Sequence, residues 1–201
     1  MEFLRQNSFM PPKNPILLEL KKHRVLKLSE LKRLGASAVK LRRMTDAGLV
    51  HSVGSGIYAT TSMDPFVAAV LATAKYYPQA VISGLTALQI HGLAQEYVDK
   101  VDVDVPRETS LRNRLLKVHR VPKGRLVGIT KLKHHGGVIQ IYDRERSLCE
   151  AFRIDPSGPI FFRALKRYIK SGKPNADRIL EYDRAVKTDV LSHLRQELAD
   201  D

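Results

Sequence analysis

An α+β fold in two parts is predicted by three observations. Three short helical patterns lead into a Gly-rich hairpin between Pro15 and Tyr58, VDVDVP alternates strictly, and helical periodicity dominates after Asp143. The first part, residues 1–62, has the order of a winged helix-turn-helix DNA-binding domain preceded by an N-terminal arm. The second, residues 63–201, reads as a mixed α/β domain with a helical C-terminus.

The elements of the first part follow from local chemistry. Ile16, Leu17 and Leu20 are apolar at helical spacing, and Pro15 suits a helix's first turn. Ser29 is expected to cap a second short helix through Leu31 and Leu34, which Gly35 closes. Ser37 caps a third, AVKLRRMTDA, ended by Gly48. Leu49 to Ser52 and Gly56 to Tyr58 read as two strands joined by Val53, Gly54 and Ser55.

At 100° per residue, Ser37, Leu41, Met44 and Gly48 share one side of the third helix. Leu41, Met44 and Leu49 are therefore expected to be buried with Leu17, Leu20 and Leu31. Val39, Arg42, Arg43 and Asp46 point the other way, with Lys40 at the margin. A solvent-facing arginine pair is ordinarily just a solvated helix face. On the third helix of this array it occupies the place from which guanine edges and phosphates are read. Ser37, Val39, Lys40, Arg42 and Arg43 are thus candidate contacts to double-stranded DNA. His51, Ser52 and Ser55 on the hairpin join them.

Charge agrees with that reading. The chain holds 34 lysines and arginines against 21 acids, a formal net charge of +13. Residues 1–62 carry 11 basic and 4 acidic side chains, and residues 107–133 carry 9 and 1. Phosphate attraction to the first block would supply most of the sequence-independent affinity. The second block, with Arg107, Arg112, Arg114, Lys117, Arg120, Lys123 and Arg125, is a possible second basic surface for DNA, RNA or an acidic partner. A merely solvated basic face is as good a reading.

Composition sets outer limits. A hydrophobic content of 43% is ample for a buried core. The single cysteine, Cys149, excludes an intrachain disulfide and any cysteine-based zinc site within one chain. No apolar stretch reaches the roughly 20 residues of a membrane span. The opening MEFLRQNSFMPPKNP lacks an apolar h-region and reads as an arm pinned by Phe3, Leu4 and Phe9. A cytoplasmic protein is expected.

The second part begins at the break TTSMDP, where Asp64 and Pro65 open a helix over Phe66 to Tyr77. Ala80 to Leu93 is expected to continue as a helix capped by Ser83. Val101, Val103 and Val105 form the buried face of a strand whose other face, with Asp102 and Asp104, is expected to be wet. Val118 to Val121, Leu126 to Thr130 and Gly137 to Tyr142 are further strands. Asp143 caps a helix over Arg146 to Ile154. Ser157-Gly158-Pro159 opens Phe161 to Ile169, and helices follow after Pro174 and near Thr188.

Enzymatic constellations are weak. Asp102 and Asp104 have the D-x-D spacing with which nucleotidyltransferases hold divalent ions. The accompanying Gly-Ser turn is reversed, as Ser83-Gly84, and stands some twenty residues upstream. His134 and His135 are adjacent, so they cannot chelate one metal from a strand. Glu19-Leu20-Lys21 resembles part of a nuclease motif but lies in the first helix. There is no P-loop, G-x-S-x-G or G-x-G-x-x-G. No enzyme, catalytic group, metal or cofactor is expected. The alternatives are a stand-alone regulator with a ligand-sensing second domain, or a metal-dependent enzyme using Asp102 and Asp104.

Four segments carry a resemblance: GSGIYAT, PQAVISGLTALQIHGL, VDVDVPR and IQIYDRERSLCEAF. Through them the chain, from about Ile16 to Leu194, resembles the AbiEi antitoxins of type IV toxin-antitoxin, abortive-infection systems. It departs from the family at Arg144, where proline is common, and at Glu150, where aspartate is usual. The resemblance implies a winged helix that binds operator repeats in its own promoter and represses transcription. It also implies a C-terminal domain that counteracts a cognate nucleotidyltransferase-like toxin without a stable complex.

Overall fold

The computed structural model describes residues 14–96, 98–172 and 174–199 and is a mixed α+β protein with two sheets. Phe3, Leu4 and Phe9, expected to pin an N-terminal arm, lie outside the described residues. The chain divides into two units. One runs up to Ser52 and includes Gly56–Met63, and the other comprises Val53–Ser55 and everything from Asp64.

In the first unit, α1 (Pro15–His23) starts where the Asn14 side chain accepts the amide of Ile16 at 3.0 Å. Strand β1 (Val25–Lys27) follows, then α2 (Leu28–Leu31), which passes directly into a 3₁₀ turn over Lys32–Leu34. Ser29 is therefore inside the helix and is not its cap. The Glu30 carboxylate, reaching back to the Lys27 amide at 2.7 Å, does the work expected of Ser29. Ser37 caps α3 (Ala38–Asp46) by accepting the Lys40 amide at 3.1 Å.

The hairpin is shifted from its expected register. β2 covers Val50–Gly54 and β3 covers Ile57–Thr60, so the turn is Ser55-Gly56 and not Val53 to Ser55. Both turn residues have positive φ, 52° and 70°, as the primed hairpin turns require. The shift exposes Leu49, at 43%, and buries Val50 in its place. β3 also pairs antiparallel with β1, which the sequence does not reveal, giving the order β1-β3-β2. The core gathers Ile16, Leu20, Leu26, Leu31, Leu41, Met44 and Val50, with Leu17 half-buried beside it.

The second unit is a five-stranded mixed sheet with helices. Asp64 caps α4 (Pro65–Tyr76) by accepting the amides of Phe66 and Val67. The expected Ala80–Leu93 helix is instead a two-residue strand, β4 (Val81–Ile82), followed by α5 (Gly84–Ile90). β4 lies at the centre of the sheet, and β-branched Val81 and Ile82 fit that fully buried position. β5 (Val101–Pro106) runs antiparallel to β4 and parallel to β6 (Leu116–Val121). After a 3₁₀ turn over Lys123–Arg125, β7 (Ile129–His134) and β8 (Gly137–Tyr142) form a hairpin, and β8 pairs parallel with β4. The strand expected over Leu126 to Thr130 thus starts three residues later and runs on to His134.

The sheet order is β6-β5-β4-β8-β7. Asp143 caps α6 (Arg144–Ile154), accepting the Arg146 amide at 2.8 Å, and α7 (Pro159–Lys170), α8 (Ala176–Val186) and α9 (Val190–Ala199) complete the chain. Their core is built on Phe161, Leu165, Tyr168, Leu148 and Leu88. Cys149 is fully buried within it, and burial pushes its thiol up to about 12, away from the thiolate form. Among the described residues no helix is long and apolar enough to cross a membrane.

Candidate functional site

Helix α3 presents two chemically distinct sides. Leu41 and Met44 are buried, whereas Val39, Lys40, Arg42 and Arg43 are exposed, and the cap Ser37 is exposed beside them. Three cations and one aliphatic side chain therefore share two turns of helix with their inner face fixed by the core. The structure brings these five candidates together. His51, half-buried, and Ser52, exposed, follow on β2, while exposed Ser55 at the hairpin turn counts with the second unit. The candidate contact surface of the first unit therefore rests on α3.

The second basic block does not form one patch. Successive residues of β6 point to opposite faces, so Lys117 and Arg120 diverge. Lys117 Nζ stands 3.5 Å from Asp102, Lys123 pairs with Glu108 at 3.1 Å, and Arg120 donates to the carbonyls of Leu111 at 3.0 Å and Thr109 at 3.4 Å. Arg107, Arg112 and Arg114 are exposed and Arg125 is half-buried. Arg112 and Arg120 line an open cleft of about 570 Å³ with Ser110 and Asn113.

Asp102 and Asp104 overturn the expectation of a wet strand face: they are 3% and 1% exposed. α5 packs over that face, and the neighbouring strand β6 sets Lys117 beside Asp102 and His119 beside Asp104 on it. The Ser83-Gly84 turn, twenty residues away in the chain, packs directly against both acids. Ser83 Oγ donates to Asp104 at 2.8 Å instead of capping α5, and a Cβ on Gly84 would sit 3.1 Å from the Asp102 Cβ. Gly84 also has φ 52°, so backbone conformation and the close approach to Asp102 both favour glycine there. Tyr142 donates to the other Asp104 oxygen at 2.9 Å.

Around these acids lies a cavity of about 150 Å³, lined among others by Asp102, Asp104, Lys117, His119, Glu150 and Arg153. Burial raises the Asp104 carboxyl above its usual range, and Glu150 adds to the shift. Both its oxygens accept from buried hydroxyls, and Asp102 faces Lys117 and His119, so these carboxylates are satisfied from within the fold. Among the described residues no group of three or more His, Cys, Asp or Glu side chains is placed to hold a metal ion. Sequence reasoning missed His119, Tyr142, Arg146 and Glu150 as members of this cluster. The only signal was charge opposition between VDVDV and LKVHR, which has meaning once the strands are known to pair in register.

The hydrogen bond from His119 Nε2 to Asp102 Oδ1, 3.0 Å, raises the imidazole pKa, and the nearby acids reinforce it against partial burial. A histidine pKa raised by folding adds stability that is complete below the unfolded value, about 6.5, and is lost as pH rises through the folded one. His91 and His134, lowered by burial, act in the opposite sense. The difference between wild type and His119→Gln isolates the first effect. It is expected to favour wild type at pH 5.5 and to shrink as pH rises past 6.5, measured by urea unfolding at each pH. A difference that does not change with pH would rule the ion pair out.

No protein-family model matches the chain, and no curated protein matches its sequence.

Proposed function

We propose that this chain is a DNA-binding antitoxin whose first unit is a winged helix-turn-helix. In this reading α3 enters the major groove of operator DNA in its own promoter and represses the operon. The second unit counteracts a nucleotidyltransferase-like toxin, without a stable complex, in the cytoplasm. One observation carries the DNA half: α3 exposes Val39, Lys40, Arg42 and Arg43 while Leu41 and Met44 lock its inner face to the core. The order α1-β1-α2-α3-β2-β3, with β1 returning to pair with β3, supports the same reading.

The antitoxin half rests on the resemblance. Its three segments in the second unit are tied to one another at the centre of the fold: Ser83 to Asp104, Tyr142 to Asp104, and His91 to the Tyr142 carbonyl at 2.7 Å.

The test is a titration of full-length protein against a duplex from upstream of its gene and a shuffled duplex of equal length. The upstream duplex is expected to bind at least 10³-fold more tightly, with affinity falling as salt rises. Equal affinity for both would remove the repressor reading. Survival of cells co-expressing the neighbouring toxin gene tests the other half.

One observation favours a metal-dependent second unit, the Ser83-Gly84 turn against Asp102 and Asp104. The internal partners of those acids weigh against it. Magnesium or manganese binding abolished by Asp102→Asn would reinstate it.

A further inference from the structure

Val39 is the second residue of α3 and is 63% exposed, although it is a β-branched aliphatic side chain. Such a residue at a solvated helix position lowers helix propensity and contributes no burial in the free protein. Arg42 and Arg43 stand three and four residues further on, so the three side chains form one contiguous patch. Phosphates need cations and guanine edges need donors, and both arginines supply them. Neither contact uses an aliphatic group. The major groove offers one apolar feature of matching size, the 5-methyl group of thymine.

We propose that Val39 reads a thymine through its 5-methyl group, at a base pair next to the one met by Arg42 or Arg43. This rests on the DNA-binding reading of α3 and adds to it a base identity. The first turn of a groove-inserted helix is the part that meets base edges, and Val39 lies there. Packing against the methyl group buries the exposed aliphatic surface only in the complex, which makes that surface a specificity element.

The experiment uses full-length protein and a duplex selected from a randomised library. Each thymine of the selected duplex is replaced in turn by deoxyuridine, which removes only the methyl group. Wild type is expected to lose roughly fourfold in affinity at one thymine per half-site, the value of one buried methyl. Val39→Ala is expected to bind the thymine duplex about as weakly as wild type binds the uracil one, with no further loss on uracil. Because Val39 is exposed and alanine favours helix, this variant should fold, which circular dichroism checks.

If every uracil replacement is silent, or if the loss persists in Val39→Ala, the assignment of Val39 is overturned. Sequence-selective binding that still depends on Arg42 and Arg43 would then leave the DNA reading standing. If selection yields no preferred duplex, the DNA reading falls, and this inference falls with it.

Discussion

Alanine at both Arg42 and Arg43 is expected to weaken operator binding by about 2–6 kcal/mol, from roughly 30-fold upward, and to relieve repression of a promoter fusion. Each lost base contact contributes about 1–3 kcal/mol. Each lost phosphate contact instead reduces the magnitude of the salt slope by about one, so the salt dependence sorts the two roles. Both side chains are exposed and the helix is held by Leu41 and Met44 on its other side, so loss of binding will not reflect unfolding. Lysine at both positions keeps the charge but not the planar fork. It should restore the salt slope more fully than the preference for the operator sequence. Toxin rescue should survive the double substitution, because the resemblance assigns that activity to the second unit. Unchanged affinity and slope in the alanine variant would refute the placement of α3 in the groove.

Local signals proved legible in the sequence, and long-range coverage did not. Ser37, Asp64 and Asp143 act as helix caps where side-chain chemistry predicts them, because a cap needs only residues within three positions. Leu41 and Met44 are buried as the helical period requires. The hairpin slipped by one residue, which was enough to exchange Leu49 for Val50, since strand faces alternate at every step. Val81 and Ile82 sit inside the apolar run Ala80 to Leu93 that reads as helical, and two residues are too few to show a strand period. Only the neighbouring strands β5 and β8 make them extended.

The acids of β5 show the same limit. Alternation marks Asp102 and Asp104 as one face correctly, yet nothing local reveals that the Ser83 turn and α5 cover that face while β6 flanks it. The basic block at residues 107–133 is contiguous in sequence but not in space, because β6 sets Lys117 on the Asp102 side of the sheet and Arg120 on the other. Arg146 is the extreme case. With Glu150 at i+4 it has the pattern of a solvated helical ion pair, and it is fully buried.

That burial leads to the largest stability effect expected in the second unit. Arg146 Nη1 donates to Glu150 Oε1 at 2.5 Å, and its guanidinium carbon lies 4.2 Å from the centre of the Tyr142 ring. Tyr142 in turn donates to Asp104, which accepts from Ser83, so α6, β8, β5 and the start of α5 are joined through one polar chain. Arg146→Ala opens a cavity and leaves Glu150, only 6% exposed, with Arg153 as its remaining cation at 2.8 Å. Breaking a buried pair by removing one partner costs about 3–5 kcal/mol. Urea unfolding followed by circular dichroism should show that loss as a lower midpoint at similar slope. Lysine in place of Arg146 should recover part of it, having the charge but a single point donor. Replacing the pair together, as Arg146→Met with Glu150→Leu, should recover most, because no buried charge is then left without its partner and Arg153 at the rim loses only a weak contact. An Arg146→Ala protein within 1 kcal/mol of wild type would mean that the buried charge contributes little to stability, and that apolar packing of α6 on its neighbours already fixes the position of Tyr142 and Asp104.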